Sequence, residues 1–386
     1  MTTTINNEHK KLNVPNLRFP EFQGEWEEER LADIADLYKG TGISKDQLSD
    51  DGEPCILYGE LYTKYKSETI REVISKTNIN NTKLVKSKAN DVIIPCSGET
   101  AEDIATARCV LNGNILLGGD LNIIRLHGYD GAFMSYQLNG RRKYDIAKVA
   151  QGVSVVHLYG EHLKGVKTIN PCLEEQKKIA KLLSLLDERI ATQNKIIEDL
   201  KKLKSAISHI LFSSKGAIHL SEIANVVMGQ SPSSNAYNDQ GLGMPLVQGN
   251  LDISNGKTTP RLYTAEFNQT TEKGNIILTV RAPVGEVAKA TQKVCLGRGV
   301  CAIIPHEENM SDFIYQYLTF YKFMWRRYEQ GSTFTSINGS DVRNIFCPKV
   351  RNVSILTLLD IKINIEERVV KQYQSQKQYM LYQMFI

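Results

Sequence analysis

Three strings in this 386-residue chain hold residue types that could carry covalent or metal chemistry, and each falls short of the pattern its chemistry needs. Gly256-Lys257-Thr258 ends like a phosphate-cradling loop, but the glycine required five positions earlier is Leu251, and no hydrophobic strand leads directly into it. A turn is expected there. An adenine methyltransferase would need Asn/Asp-Pro-Pro-Tyr/Phe to grip a flipped base and a glycine-rich strand-to-helix loop for its cofactor. The nearest string, Asn170-Pro171-Cys172-Leu173, lacks the second proline and the aromatic, and reads as a helix start. His157 and His162 stand five apart without a glutamate between them in metal-protease order. The seven cysteines (Cys55, Cys96, Cys109, Cys172, Cys295, Cys301, Cys347) form no Cys-x-x-Cys pair and none sits at zinc spacing with a histidine, so they read as reduced, mostly buried small hydrophobes. There is no Pro-Asp followed by Glu-x-Lys nuclease constellation either. No catalytic residue and no metal ligand is assigned.

Recognition chemistry is better represented. Several loops combine small residues, which permit close backbone approach, with side chains able to read base edges: Arg suits guanine, Asn and Gln suit adenine, Ser and Thr suit phosphate or base edges. In the first half these are Lys39, Thr41, Ser44, Lys45, Tyr58, Glu60, Ser97, Thr100, Arg108, Gln151 and Ser154. In the second half Gln230, Ser231, Ser233, Gln248, Asn250, Arg281, Arg298, Gln330, Ser332 and Thr333 occupy matching places. Any one of them is also accounted for as a turn residue satisfying its own loop. The argument lies in the set, because equivalent loops must face one duplex if both halves read it.

The elements that must position these loops are duplicated. RLADIADLYKG at 30–40 returns as HLSEIANVVMG at 219–229, each expected as a short helix or turn stopped by a glycine. Tyr58-Gly59-Glu60 answers to Gln248-Gly249-Asn250, the apolar stretch 92–95 to 276–279, LLGGDLNII at 116–124 to CLGRGVCAI at 295–303, and Gln151-Gly152 to Gln330-Gly331. The apolar runs are short, β-branched and bounded by Gly, Asn and Pro, which favours strands, and helical stretches such as 311–328 lie between them. Each half is thus a mixed α and β domain, 26–172 and 216–350, after an N-terminal arm at 1–25.

A long helical segment follows each domain, at 173–215 and 351–386. In the first, Ile179, Leu182, Leu186, Ile196, Leu200, Leu203, Ile207 and Ile210 recur at alternating three and four spacing, interrupted at Arg189 and Gln193, which predicts a heptad seam. Pro171 suits the first helical turn, Glu174 and Glu175 its positive end, and Ser213 to Gly216 its termination. The second repeats it at an offset of 173, with identity at Leu183/Leu356, Asp187/Asp360, Ile190/Ile363 and Lys204/Lys377 among others. Its seam looks weaker, since Lys362, Glu366, Gln376 and Gln383 fall on positions homologous to core ones. The economical solution is that the two helices pair antiparallel, about a pseudo-two-fold axis, and also meet a helix of another subunit. About 31 residues at ~1.5 Å rise give roughly 45 Å, comparable with the ~34–36 Å between half-sites one DNA turn apart.

Length alone favours two domains or more, and 41% hydrophobic with 23% charged residues excludes disordered and fibrous classes. A net charge of +4, with 47 Lys and Arg among 43 Asp and Glu, is only mildly basic. Tight DNA binding would need basic groups focused on one face, or a partner neutralising much of the phosphate. The lysines on the helix flanks (Lys177, Lys178, Lys181, Lys201, Lys202, Lys204) read rather as solvated or partner-facing. The opening residues lack the order of a secretory signal and no apolar run approaches ~20 residues, so a cytoplasmic location with no membrane contact is expected.

Four stretches carry a resemblance to a known family: the opening VPNLRFPEFQGEWEEERLADIA, the Gly-Gln-Ser-Pro-Ser at 229–233, the Gln-Gly-Val-Ser and Gln-Gly-Ser-Thr turns, and Pro-x-x-Glu-Glu-Gln-x-x-Ile-Ala at 171–180. In this order and duplicated, they resemble the specificity subunit of Type I restriction-modification enzymes over essentially the whole chain. The resemblance implies an α+β fold with two target recognition domains joined by two long antiparallel coiled-coil helices. It implies that each domain reads one half of a split site in double-stranded DNA. It also implies that two methyltransferase subunits, which carry S-adenosylmethionine, dock on the helical stem, and that restriction/translocase subunits join. The chain itself would hold no cofactor and catalyse nothing. Glu175, Gln176, Ile179, Leu186, Leu359, Val369 and Tyr373 are the positions expected to meet those partners. One departure bears on docking: the second helix lacks the Glu-Glu-Gln-Lys-Lys-Ile-Ala start, with four fewer residues between Pro348 and Ile355 than between Pro171 and Leu182. Two other classes stay open, a coiled-coil adaptor that binds only proteins and a self-contained restriction or modification enzyme. The first leaves the duplicated loop-bearing domains unexplained, and the second lacks every catalytic motif sought above.

Overall fold

The computed structural model describes residues 12–79, 83–152, 155–213, 217–327, 336–349 and 352–386. The chain forms two compact units, one of Met1–Asn194 with Val369–Ile386, the other of Lys195–Arg368. In the first, Asp91–Pro95 is buried along its whole length, at the centre of a five-stranded sheet ordered Ala35–Lys39, Leu121–Leu126, Asp91–Pro95, Arg108–Val110, Thr69–Ile70. Val92 and Ile94 face a core with Leu31, Phe133 and Leu183, whereas Ile93 faces another with Ile56, Leu117 and Ile123. A strand covered on both faces needs no polar alternation, hence the unbroken apolar run in the sequence. A second five-stranded sheet closes that other core: Leu48–Ser49, Ser75–Thr77, Glu53–Ile56, Leu116–Leu117, Val85–Lys86.

The second unit repeats the plan. Its six-stranded sheet runs Ala224–Met228, Val300–Pro305, Ile276–Thr279, Val287–Lys289, Lys257–Thr258, Ile253–Ser254. Ile276 and Leu278 enter one core with Cys301 and Ile303, and Ile277 another with Val247 and Ala302. Of the Gly-Lys-Thr string only Gly256 lies in a turn: Asn255 and Gly256, at φ +49° and +68°, reverse a hairpin whose returning strand is Lys257–Thr258.

The repeated Leu-x-x-Ile-Ala motif differs from its expected form. Only Leu31–Ile34 and Leu220–Ile223 are helical, and Ala35–Lys39 and Ala224–Met228 continue as strands. Ladder pairing with Leu121–Leu126 and Val300–Pro305 outweighs the helical propensity of so short a segment. The glycines that follow are required by close approach: a Cβ at Gly40 would lie 2.0 Å from the Gly118 carbonyl oxygen, and one at Gly229 would lie 2.1 Å from that of Gly297. Each domain is closed by a short antiparallel pair, Glu27–Arg30 with Lys167–Asn170 and Ala217–His219 with Phe346–Pro348, so the chain enters and leaves side by side. Of the seven cysteines, six are buried and Cys172 is exposed.

The long helices span Leu173–Phe212 and Ser354–Met384, 40 and 31 residues. The expected seam is corrected by one residue in alternate rows. Ile179 and Leu186 are buried and Leu200 and Ile207 half-buried, but Ile196, Leu203 and Ile210 are exposed, and the second row is Leu183, Ile190, Ile197, Lys204 and Leu211. The doublets Leu182-Leu183, Ile196-Ile197 and Ile210-Leu211 offer two phases about 100° apart, between which periodicity cannot choose. The second helix keeps the same register at the offset of 173: Leu356, Leu359, Ile363, Glu366, Val370, Tyr373, Lys377, Met380 and Met384 are buried or half-buried at alternating three and four. Lys362, Gln376 and Gln383 therefore lie off the seam, whereas Glu366 stays on it as expected.

Two lysines on this seam meet acids. In the first unit Lys377 Nζ lies 2.6 Å from Asp187 Oδ1 and 2.5 Å from Glu68 Oε2. In the second, Lys204 Nζ lies 2.5 Å from Asp360 Oδ1, whose other oxygen accepts from Gln316 Nε2 at 2.6 Å. Lys204 corresponds to Lys377 and Asp187 to Asp360 at the 173 offset, so each helix gives one lysine and one aspartate to the same kind of pair. Within each unit the contacts run antiparallel: Asp187–Lys377 then Arg189–Tyr373 in the first, Lys201–Glu367 then Lys204–Asp360 in the second. A charge pair on an apolar seam penalises slipped registers, which leave one member unpaired.

Candidate nucleic-acid interface

In the first unit the end of Ala35–Lys39 and the loop after Asp91–Pro95 bring three of the expected residues together. Lys39 is exposed and lies 3.8 Å from Asp120, to whose carboxylate Ser97 Oγ donates at 3.5 Å. Ser97 stands opposite His157, whose backbone exchanges hydrogen bonds with Gln151 at 2.9 and 2.7 Å. His157 and His162 both pack on the Tyr159 ring, and no metal-binding group of His, Cys, Asp or Glu occurs among the described residues. Other expected readers serve their own loops. Thr41 Oγ1 accepts from Val85 N at 3.0 Å, and Ser44 opens the 3-10 turn Lys45–Gln47, on which Lys45 is exposed. Thr100 caps Ala101–Ile104, accepting from Asp103 N at 3.1 Å. Ser154, Gln330, Ser332 and Thr333 lie outside the described residues.

Two expected contacts are corrected. Glu60 is 5% exposed, and its carboxylate accepts from Leu57 N at 3.0 Å, Lys64 Nζ at 2.6 Å and Ser75 Oγ at 2.5 Å. It pins the loop that presents half-buried Tyr58 instead of facing a ligand. Arg108 is also buried, its guanidinium donating to the carbonyls of Ala107 and Tyr65 at 3.1 Å each. Burial pulls its pKa below the usual guanidinium value, against the pull of Glu68 and Asp187. Its neighbours Cys109 and Val110 are buried on both sides of the same strand, so alternation did not expose it.

Asp252 takes the place of Glu60 in the second unit. It is 3% exposed and accepts from Gln248 N at 2.8 Å and from Arg261 Nε at 3.1 Å. Asn250, which aligns with Glu60 in sequence, is half-buried. Asp252, Lys64 and Ser75 were missed by sequence reasoning; the available signal was an acid soon after each loop, with a basic residue to follow. Beyond this loop, Ser231, Gln248, Arg281 and Arg298 line one cleft of about 420 Å³ with Pro232, Ser234 and Tyr237, and Gln230 and Ser233 are exposed on the adjoining turn.

The positions expected to meet partner subunits are mostly used inside the chain. Glu175 is fully buried and takes both arms of a fork from Arg18, Nε and Nη2 each at 2.8 Å. Gln176 accepts from Asp130 N at 2.9 Å and donates to the Pro171 carbonyl at 2.8 Å. Ile179, Leu186 and Leu359 are buried, and Val369 and Tyr373 half-buried, with the Arg189 guanidinium 5.9 Å from the Tyr373 ring. Glu175, Gln176, Ile179, Leu186 and Leu359 are thus corrected from docking to internal packing. The arm carrying Arg18 and the Glu-Glu-Gln helix start are two halves of one contact. The second helix has no such start and Ser354 is held instead by Asn352, whose Oδ1 accepts from Ser354 N and Oγ at 3.1 and 2.8 Å.

Comparison with known proteins places this architecture. The model of the Type I restriction modification DNA specificity domain matches residues 23–202 and again 216–372. The chain is 28% identical over 390 aligned residues to a protein of Methanocaldococcus jannaschii named for the type I restriction enzyme MjaX specificity subunit, across 88% of this chain and 86% of that one. It is 29% identical over 217 residues to the MjaVIII specificity subunit of the same organism, across 56% and 48% of the two chains. The fold matches the S subunit of a Type I restriction-modification system from M. genitalium with TM-score 0.68 at 20% identity, over 97% of this chain and 99% of that one. A chain from a structural study of complex assembly in the type I R-M system matches with TM-score 0.55 at 20% identity, over 93% and 97%. Matched twice by one domain model, the chain belongs to the Type I restriction-modification DNA specificity family.

Proposed function

We propose that this chain reads a bipartite site in double-stranded DNA, one half per domain, and serves as the non-catalytic platform on which two methyltransferase subunits and the restriction/translocase subunits assemble in the cytoplasm. The observation that carries it is the duplicated recognition edge. In both units a glycine-turn, Gly40 or Gly229, meets the loop of a neighbouring strand, and a buried carboxylate, Glu60 or Asp252, pins the loop that presents Tyr58 or Gln248. S-adenosylmethionine belongs to the methyltransferase in this reading, and none of the residues above is assigned to hold it. No helix among the described residues is long and apolar enough to cross a membrane.

Docking on the stem is supported by apolar side chains the chain leaves in solvent: Ile196, Leu203 and Ile210, seven apart on the first helix, and Leu358, Ile361 and Ile365 on the second. They take over the partner-facing role expected of the buried positions. Exchanging residues 26–172 for the equivalent domain of a relative, then mapping methylated adenines in cells that also express the methyltransferase, should change one half of the methylated motif and leave the other. Change in both halves, or in neither, would refute half-site reading. One inserted heptad in each long helix should lengthen the unread spacer with the bases unchanged.

A further inference from the structure

The cleft of the second domain has a chemical bias that the first domain lacks. Val280 N donates to the Gly299 carbonyl at 2.9 Å, so Arg281 and Arg298, the residues just beyond this pair on adjacent strands, emerge side by side. Both are exposed, and neither side chain has an ion pair or hydrogen bond among the described residues. Glycines flank Arg298 for a spatial reason: a Cβ at Gly299 would lie 2.1 Å from the Gln248 carbonyl oxygen, and one at Gly297 would lie 2.9 Å from Gln248 Cγ. Arg298 is therefore the one side chain of that turn, and its backbone N–H is fixed at 3.1 Å to Ser231 Oγ. The matching positions of the first domain are Ser97 and Gly119, so no guanidinium occurs there.

We infer that the half-site read by the second domain contains a guanine, read in the major groove by the Arg298 guanidinium with Arg281 as the adjacent donor. This rests on the half-site reading proposed above. The chemistry is that of a planar fork of N–H donors against the O6 and N7 acceptors of guanine, a pattern that no other base presents. A lysine keeps the charge but not the fork. An arginine that only neutralised phosphate would instead add affinity evenly across sequences.

The test maps methylated adenines by single-molecule sequencing in cells carrying the methyltransferase with the wild-type chain, Arg298→Ala or Arg298→Lys. The arginine is exposed, and equal amounts of assembled complex and unchanged thermal midpoints check that the variants fold. The wild-type motif should hold an invariant G·C pair in one half. Both variants should methylate sites bearing other bases there, with discrimination at that position falling roughly 10- to 100-fold and the other half unaltered. Retained guanine preference in Arg298→Lys, or an even loss of methylation over an unchanged motif in both variants, would overturn the guanine assignment and leave half-site reading intact. A wild-type motif that is not bipartite would overturn half-site reading and this assignment with it.

Discussion

Replacing Lys377 by methionine preserves the length of the side chain and removes its charge. Glu68 and Asp187 then lose the cation they share, although Asp187 keeps the hydroxyls of Ser67 and Tyr136 as donors, in a site where the three side chains are 12%, 8% and 13% exposed for Glu68, Asp187 and Lys377. Removing one member of a buried pair costs about 3–5 kcal/mol, because the remaining charge stays desolvated. A ceiling applies, since a buried carboxyl can take up a proton instead. From the ordinary glutamate value of 4.5, that uptake costs about 4 kcal/mol at pH 7.5 and about 1.4 kcal/mol at pH 5.5, at ~1.36 kcal/mol per pH unit. Burial already holds Glu68 above its ordinary range even with Lys377 present. A group that binds its proton more tightly folded than unfolded costs stability as pH climbs past the unfolded value, so the defect must grow with pH. The expectation for Lys377→Met is a loss of ~3–4 kcal/mol at pH 7.5, shrinking to ~1–1.5 at pH 5.5. For a unit of this size that is a drop of about 6–15 °C in melting temperature at the higher pH. Calorimetry at both pH values reads it directly. A variant within ~0.5 kcal/mol of wild type at pH 7.5, or one whose defect is the same at both pH values, would refute the account of the pair as a buried, charge-coupled clamp.

The equivalent Lys204→Met should cost less, about 1–2 kcal/mol, because it strips the cation from one carboxylate instead of two and Asp360 is 30% exposed; calorimetry would show the two lysines to be unequal. Arg18→Ala should leave the fully buried Glu175 unpaired and release the arm, at about 2–3 kcal/mol, with protease cleavage appearing between Phe19 and Gly24. Gly229→Ala should unfold the second domain at 37 °C while sparing the first, since the clash is with backbone; two separated melting transitions of which only one moves would show this. Glu60→Gln should destabilise the first domain by about 1–2 kcal/mol and reduce methylation without altering the motif, whereas a changed motif would restore Glu60 as a base reader.

The duplication, the strand runs and both long helices were legible because each rests on local pattern: β-branched runs, stopping glycines and a 173-residue offset that survives in identities such as Asp187/Asp360. What stayed hidden depends on partners distant in sequence. Glu60 and Arg108 have the composition of ligand readers, and only the fold reveals that one is enclosed by Lys64 and Ser75 and the other by Tyr65 and Ala107. The seam was misphased because consecutive apolar residues serve two helical phases equally, and the side packed against each domain chose between them. Glu175 and Gln176 stood out as a motif, but their reason for being there is Arg18 and Asp130, 157 and 46 residues away.

The first core includes Met384 and Phe385, both 2% exposed, with the Phe385 ring stacked 5.2 Å from Phe133. Those two side chains emerge from the ribosome some 210 residues after the first domain's own sequence has been made. At ~5–20 residues per second that is a delay of roughly 10–40 s during which the domain has an open apolar flank. The second unit, contiguous from Lys195 to Arg368, has no such wait. Loss of Met384 and Phe385 should therefore injure the N-terminal domain before its neighbour, and a nascent chain would complete the core of its first domain only after the whole second unit has been made.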